Sequence, residues 1–198
     1  MIDYYFSPMS PWTYLGHARF ADIARKHNAS IAVKPVDFMR IFSVSGGLPL
    51  AKRAPQRQKY RLTELQRWRD YLHIQLTLQP KYFPFDTQLA SNAIIAARTQ
   101  SEAVAMKLSG AILQACWAEE RNMADVSELR AVIAAQGLDP AALLSDATQS
   151  AAKAEYERLT DEAIARDVFG APTYIYRDEL FWGQDRLDML DWRMSQSR

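Results

Sequence analysis

Strand-forming sequence is confined to the two ends of this 198-residue chain. Near the start, residues 2–6 (IDYYF) and 30–36 (SIAVKPV) carry the β-branched and aromatic residues typical of strands. Between them, Ser10 and Pro11 are the N-cap and first residue expected of a helix that ends near residue 28. The chain therefore opens with the order of a parallel βαβ unit, and Pro35 predicts that the second strand lies at a sheet edge or stops there.

Helical sequence fills most of the chain between residues 37 and 167. Adjacent glycines and two prolines predict a loop over residues 37–55, and two further prolines predict another at 79–84. Helices are predicted over residues 57–76, 87–98, 101–120, 126–136, 140–148 and 152–167. Strand-forming residues return only at 172–176 and 180–182, joined by the polar pair Arg177-Asp178, which predicts a β-hairpin before a last helix at 184–194.

This order of elements predicts the fold class. A βαβ unit, a long helical block and a final ββα unit indicate an α/β protein with a thioredoxin-like fold and a large all-helical insertion. We predict a thioredoxin-like domain made of residues 1–36 and 168–198, with residues 37–167 forming the helical insertion domain.

Composition argues against several classes of protein. The chain is 48% hydrophobic, which is enough to bury a full-sized core, and its net charge of +1 lacks the basic excess of a dedicated nucleic-acid-binding protein. No apolar run approaches about 18 residues, and the N-terminus has no signal-peptide pattern, so we expect no membrane association. The single cysteine, Cys116, cannot form an internal disulfide, which favours the cytoplasm. The three histidines lack metal-ligand spacing, so we expect no metal site and assign them to helix surfaces or caps.

The first candidate functional segment is Ser10-Pro11-Trp12-Thr13, at the start of the first helix. A helix N-terminus has unpaired backbone amides and a partial positive charge, which together stabilise an anion. Thioredoxin-type proteins carry Cys-x-x-Cys at this position, but here both cysteines are replaced by hydroxyl residues, so ordinary disulfide exchange is excluded. Ser10 could instead donate a hydrogen bond to the thiolate of a bound ligand, glutathione being the obvious cytoplasmic thiol, or it could only cap the helix.

Two later segments would reach the same end of a thioredoxin sheet. The sequence Ala171-Pro172 between a helix and a strand suggests a cis peptide bond, although a trans proline that opens an edge strand is the alternative. Gly183, which follows Trp182, would allow a ligand close to the backbone. Asp185 could bind an ammonium group or simply cap the last helix. The conjunction of all three segments is more specific than any one of them.

Five motifs follow one another along the chain: D-Y-Y-F-S-P-M-S-P-W-T-Y-L, E-L-Q-R-W, P-K-Y-F-P, V-F-G-A-P-T and F-W-G-Q-D-R-L. In these motifs the chain resembles the 2-hydroxychromene-2-carboxylate isomerase family, which is grouped with the kappa-class glutathione transferases and related to DsbA-like oxidoreductases. The resemblance covers essentially the whole chain, in the same order and spacing.

The resemblance implies a homodimer that binds glutathione. Ser10 matches the family serine that contacts the glutathione sulfur, and Ala171, before Pro172, matches the residue whose backbone pairs with the cysteinyl part. The γ-glutamyl end is assigned to Trp182, Gly183, Gln184 and Asp185. In the family's chemistry the glutathione thiolate adds to the chromene ring, the ring opens, a bond rotates and the thiol leaves unchanged.

An aromatic carboxylate substrate requires a cationic or polar pocket. Residues 52–69 hold seven basic side chains against one acidic one, Glu64, and we interpret most of them as a solvated helix face. Lys52 and Arg53 are the better candidates because they lie in the preceding loop. We expect the substrate pocket to include Trp12, Pro49, Lys52 and Tyr82, of which Tyr82 matches a substrate-pocket tyrosine of the family.

The leading hypothesis is therefore a glutathione-dependent isomerase of aromatic degradation intermediates. Conjugation of glutathione to electrophiles, as in kappa-class transferases, is the alternative within the same site. A non-catalytic glutathione- or peptide-binding module is the alternative of another class. A thiol oxidoreductase is excluded unless the fold brings Cys116 to the site.

Overall fold

In the computed structural model, which describes residues 1–196, four strands form one mixed sheet with helices on both faces. The strands are β1 (Ile2–Phe6), β2 (Ile31–Pro35), β3 (Thr173–Tyr176) and β4 (Glu179–Trp182). The helices are α1 (Pro11–Lys26), α2 (Phe38–Ser45), α3 (Pro55–Leu72), α4 (Gln88–Ala97), α5 (Glu102–Trp117), α6 (Val126–Ala135), α7 (Pro140–Leu143), α8 (Asp146–Ala165) and α9 (Leu187–Ser195). Short 3₁₀ helices span Leu50–Lys52 and Gln184–Arg186.

The sheet has the strand order β2-β1-β3-β4, with β1 and β2 parallel and the other neighbours antiparallel. The predicted βαβ unit and the C-terminal hairpin are both confirmed. Strand β2, which ends at Pro35, lies at an edge, where the missing amide of proline costs no ladder hydrogen bond. Arg177 and Asp178 form the two-residue hairpin turn with φ of 50° and 64°, the left-handed conformation that matches the twist of the flanking strands.

The five residues of β1 are all buried because the strand lies between two apolar layers. Ile2, Tyr4 and Phe6 face the larger core, which also contains side chains from α1, α3, α5, α6 and α9. Tyr5 faces the other layer, formed largely with α2 and α8. The helical insertion therefore packs directly on both faces of the sheet that carries the two chain ends.

Several helices begin where side-chain caps predict them. Ser10, Ser101 and Ser145 each accept a hydrogen bond from the amide three residues later. Asp125 caps α6 in the same way, by accepting from the amides of residues 127 and 128. The sequence predicted helices over 140–148 and 152–167. The boundary between them lies earlier, because Ser145 starts a new helix: α7 ends at Leu143 and α8 begins at residue 146.

The prediction that residues 37–55 form a loop is wrong for half of that segment. Asp37 accepts hydrogen bonds from the amides of Met39 and Arg40 and starts α2, which buries Phe38 and Ile41 and ends at Gly46 with φ of 76°. Within the described residues, no helix is long and apolar enough to cross a membrane.

Candidate active site

Strand register brings the three predicted functional segments to one end of the sheet. Tyr5 pairs with Thr173, so the peptide after Phe6 lies beside Pro172. Thr173 in turn pairs with Trp182, and the amide of Gly183 donates to the carbonyl of Pro172 at 2.8 Å. The N-terminus of α1, the turn before β3 and the end of β4 therefore converge, as the sequence predicted.

Ser10 is the N-cap of α1 and is half-buried. Its hydroxyl oxygen accepts a hydrogen bond from the Thr13 amide at 3.2 Å, and its own proton has no acceptor within residues 1–196. Thr13 is fully buried and points its hydroxyl into the protein, where that oxygen has no partner among the described residues. Of the two hydroxyls that replace Cys-x-x-Cys, only Ser10 can donate a hydrogen bond to a ligand at the helix end.

The Ala171-Pro172 peptide bond is cis, which resolves the alternative left open by the sequence. Thr173 closes this turn by donating its hydroxyl proton to the Gly170 carbonyl at 2.7 Å. The backbone of Ala171 makes no hydrogen bond with other backbone groups in the described part of the chain. It therefore offers a free donor and acceptor beside the start of α1, as an extended peptide ligand requires.

Gly183, Gln184 and Asp185 lie against α1. Gly183 has a φ of 99°, and a Cβ atom there would collide with a carboxylate oxygen of Asp185, so glycine is required. Gln184 is buried and accepts a hydrogen bond from Arg19 at 2.9 Å. Asp185 is exposed, and its only ion pair within residues 1–196 is with the neighbouring Arg186 at 2.9 Å.

The close approach of α1 to this segment depends on Gly16. A Cβ atom on Gly16 would lie 2.7 Å from the Cβ atom of Gln184 and 3.0 Å from the Tyr174 hydroxyl. Arg19, one turn later, holds the amide of Gln184. The helix that carries Ser10 at its N-terminus therefore also positions the Gly183–Asp185 segment.

Trp182 covers the turn before β3. It is 51% exposed, and its ring contacts Phe169 edge-on at 4.8 Å between ring centres. A Cβ atom on Gly170 would collide with the Trp182 indole nitrogen, so glycine allows the ring to lie on this turn. Of the residues in this segment, Gln184 therefore supports the candidate site from the protein interior, whereas Trp182 lies on its surface.

The residues predicted for the substrate pocket are spread over three segments. Trp12 is half-buried and packs against the larger core. Pro49 precedes the 3₁₀ helix that ends at Lys52, and the Lys52 side chain is exposed. Tyr82 is 40% exposed, with the Lys81 ammonium 4.9 Å from its ring centre.

The interpretation of the basic segment as a mainly solvated face missed Arg61. Its guanidinium lies 5.2 Å from the ring centre of Phe83 and 5.9 Å from that of Trp117, and its Nη2 atom is buried without a hydrogen-bond partner in residues 1–196. Burial, together with the nearby charge of Arg53, lowers the pKa of Arg61 to about 10, so it remains a cation at neutral pH. Arg61 precedes the buried Leu65 by four residues, and that spacing was the available signal.

Cys116 lies on α5 and is buried in the larger core. It is 2% exposed, and burial raises the pKa of its thiol to about 12. A thiol with that pKa supplies almost no thiolate at neutral pH. A thiol oxidoreductase was possible only if the fold brought a reactive Cys116 to the site. The buried thiol of Cys116 does not meet this condition.

The histidines divide into two structural roles. His27 and His73 follow the last residues of α1 and α3 as caps, which confirms one predicted role. His17, in contrast, links Tyr4 at 3.1 Å to the Met106 carbonyl at 3.0 Å, so its assignment to a helix surface or a cap is wrong. Burial lowers the pKa of His17 to about 4, opposed by the Met106 carbonyl, which leaves the ring neutral at pH 7. No group of metal-ligating side chains occurs within the described residues.

Comparisons with known proteins agree with this architecture. Residues 1–195 match the family model of the DsbA-like thioredoxin domain. A 2-hydroxychromene-2-carboxylate isomerase of Sphingobium xenophagum is 31% identical over 96% of this chain and 95% of its own length. The isomerase of the same name from Pseudomonas putida is 30% identical over 96% of this chain and 92% of its own.

A solved 2-hydroxychromene-2-carboxylate isomerase structure shares the fold, with a TM-score of 0.83 and 29% identity over 98% of this chain and 94% of the other. Sequence and structure therefore agree over nearly the full length of both proteins. The chain belongs to the 2-hydroxychromene-2-carboxylate isomerase family within the DsbA-like thioredoxin-fold proteins, and it is an enzyme of the isomerase type.

Proposed function

We propose that this enzyme is a glutathione-dependent isomerase of 2-hydroxychromene-2-carboxylate or closely similar aromatic degradation intermediates. The observation that carries the proposal is the free hydroxyl proton of Ser10 at the N-terminus of α1, at the end of the sheet where the Ala171 backbone is also unpaired. The names of the two relatives support the choice of substrate.

The residues present fit glutathione in three respects. The free edge of Ala171 suits the extended backbone of a tripeptide. Asp185 is exposed beside Gly183 and can attract an α-ammonium group. The Ser10 hydroxyl and the amides at the start of α1 suit an anionic sulfur.

Glutathione would supply a nucleophilic sulfur that adds reversibly to the substrate and is not consumed. Ser10 would hold that sulfur in its anionic form. A free thiol with a pKa of about 8.5 is only a few per cent ionised at pH 7, and lowering the pKa by about 1.5, worth about 2 kcal/mol, leaves roughly half of it ionised. One charge-assisted hydrogen bond together with a helix N-terminus is of that magnitude.

The proposal is tested by following conversion of 2-hydroxychromene-2-carboxylate by absorbance, with dialysed enzyme and added glutathione. We expect conversion to require glutathione. Ser10→Ala should lose about fivefold of the rate at pH 7, because the thiolate loses the hydrogen bond from Ser10 but keeps the contribution of the helix N-terminus. The loss should shrink above pH 9, where the thiol ionises without help.

Ser101→Ala is the matched control, because Ser101 caps α5 and accepts from the Val104 amide at 3.1 Å. Both substitutions remove an N-cap, which costs about 1 kcal/mol, but only Ser10 lies at the site. Equal rates for the two variants, or conversion by dialysed enzyme without glutathione, would refute the proposal. The product mass distinguishes isomerisation, which leaves it unchanged, from conjugation, which adds the tripeptide.

A further inference from the structure

Three arginines approach one another near the start of α3 without acidic partners. Arg53 follows the 3₁₀ helix, and Arg57 and Arg61 lie four residues apart on α3. Burial and the charge of Arg57 lower the pKa of Arg53. Burial and the charge of Arg53 likewise lower the pKa of Arg61. None of the three forms an ion pair within residues 1–196, although most other arginines of the chain do.

This arrangement is unfavourable in the free protein. Like charges four residues apart on a helix destabilise it by about 0.2–0.5 kcal/mol, and a buried guanidinium atom without a partner adds a desolvation cost. Arg53 satisfies one donor through the Leu48 carbonyl at 2.8 Å, but Arg61 has no hydrogen-bond acceptor in the described part of the chain. An anion placed between these cations would relieve their repulsion and give Arg61 the hydrogen-bond acceptor that it lacks.

The surroundings of Arg61 indicate what kind of anion fits. Its guanidinium is held over Phe83 and Trp117, so little side-chain entropy is lost when it binds a ligand. Nη2 is covered, whereas Nε and Nη1 are not among the covered atoms and have no partner within residues 1–196. Tyr82, the neighbour of Phe83 in the sequence, has a partly exposed ring. Aromatic surface beside an unpaired cation suits an aromatic carboxylate.

A chain of contacts connects Arg61 to the helix that carries Ser10. Tyr14, one turn after Ser10, donates its hydroxyl proton to the Gln75 carbonyl at 2.7 Å. Gln75 in turn donates its side-chain amide to the Ala118 carbonyl at 3.1 Å. Ala118 follows Trp117, on which Arg61 is stacked. The packing around Arg61 is therefore linked by hydrogen bonds to Tyr14, in the N-terminal part of α1.

We propose that Arg61, assisted by Arg53, binds the carboxylate of the aromatic substrate and so determines specificity for acidic substrates. The inference rests on the proposed function for the identity of that substrate. The sequence pointed to Lys52 and Arg53, and in this proposal Arg61 takes the place of Lys52. The exposed side chain of Lys52 would have to be ordered before it could bind. Arg61 is already fixed by its two aromatic neighbours.

The test measures binding of salicylate, a simple aromatic carboxylate, by calorimetry, with the uncharged salicylamide as the comparison ligand. Arg61→Gln should weaken salicylate binding by about tenfold, the loss expected for one charge-assisted hydrogen bond, and leave salicylamide binding within about twofold. In the isomerase assay it should raise KM for the acidic substrate by a similar factor with little change in kcat or in glutathione affinity. Arg61→Lys, which keeps the charge, should recover part of the loss.

Lys59→Gln is the matched control, because Lys59 is exposed on the same helix and its loss changes the net charge equally. Urea unfolding of each variant identifies any that do not fold, and Arg53→Gln provides an independent substitution in the same cluster. The inference fails if Lys59→Gln weakens salicylate as much as Arg61→Gln, if salicylamide is weakened equally, or if glutathione binding is lost instead. Because the titration needs no turnover, salicylate binding that depends on Arg61 would stand even if isomerase activity were absent.

Discussion

Replacing Glu162 by glutamine should destabilise the protein at pH 7, and the difference from wild type should disappear as the pH falls towards 2. Glu162 lies on α8, and one of its carboxylate oxygens accepts hydrogen bonds from Lys34 and from the Tyr5 hydroxyl, each at 2.5 Å. Lys34 also pairs with Asp3 at 2.7 Å. This network fastens α8 to β1 and β2, the strands whose ends support the candidate site.

The magnitude follows from the pKa of Glu162. Burial alone would raise this pKa, but the hydrogen bonds from Lys34 and Tyr5 outweigh burial and lower it from 4.5 to about 2. That difference corresponds to about 3 kcal/mol of folding free energy. Because the side chain is 25% exposed, solvent screening reduces the figure, and we expect about 2–3 kcal/mol.

The sign of the pH dependence follows from the direction of this change. A carboxyl group whose pKa is lower in the folded protein stabilises it fully above pH 4.5, and this contribution is lost between pH 4.5 and about 2. Glutamine has the shape of the protonated carboxyl group and no charge, so Glu162→Gln should lack this contribution at every pH. Most of the difference in stability between wild type and variant should therefore be gone at pH 3.

Urea unfolding at pH 7, 5 and 3 measures this difference directly. Glu157→Gln is the matched control, because Glu157 is exposed on the same helix and has no ion pair within the described residues. It should change the free energy of unfolding by less than about 0.5 kcal/mol. A Glu162→Gln difference that is the same at pH 3 and pH 7 would show that the ion pairs do not stabilise the fold as argued.

Two further substitutions or treatments probe the site and the core. Gly16→Ala should lower the affinity for glutathione measured by calorimetry, because the new methyl group would displace Gln184. The control Ala18→Gly, on the exposed side of α1, should lower the free energy of unfolding by about 1 kcal/mol and leave that affinity unchanged. Cys116 should resist alkylation by iodoacetamide at pH 8 in the native protein and react at once in urea, as measured by mass spectrometry; rapid native labelling would contradict its burial.

The sheet and the position of the candidate site were predictable from short-range signals. The apolar run of β1, the Ser10-Pro11 helix start and the polar hairpin turn at Arg177 each have one dominant structural interpretation. Strand order then brings Pro172 and Gly183 to the start of α1 without information on side-chain packing. Local sequence therefore determines which segments meet at the site.

Side-chain environments were not predictable in the same way. Arginine is usually a surface residue, and the rings that lie against the Arg61 guanidinium, Phe83 and Trp117, are distant from it in the sequence. His17 likewise becomes neutral because it is buried beside Tyr4, although its hydrogen bond to the Met106 carbonyl opposes this effect. Helix α2 was missed because glycines and prolines follow it closely, although the Asp37 cap marks its start.

Helix α1 fixes both halves of the candidate glutathione site. Its N-terminus presents Ser10, and its second and third turns hold the Gly183–Asp185 segment through Gly16 and Arg19. In the proposed function Ser10 would act on the charge of the sulfur, whereas Gly16 and Arg19 would act on the position of the ligand. Loss of Ser10 should therefore change the pH dependence of the rate, while a displaced Gln184 should change glutathione affinity and leave the pH dependence intact. If glutathione supplies the reacting sulfur, as proposed, a fold with a hydroxyl in place of its own thiol needs both properties, because that sulfur must be bound as well as ionised.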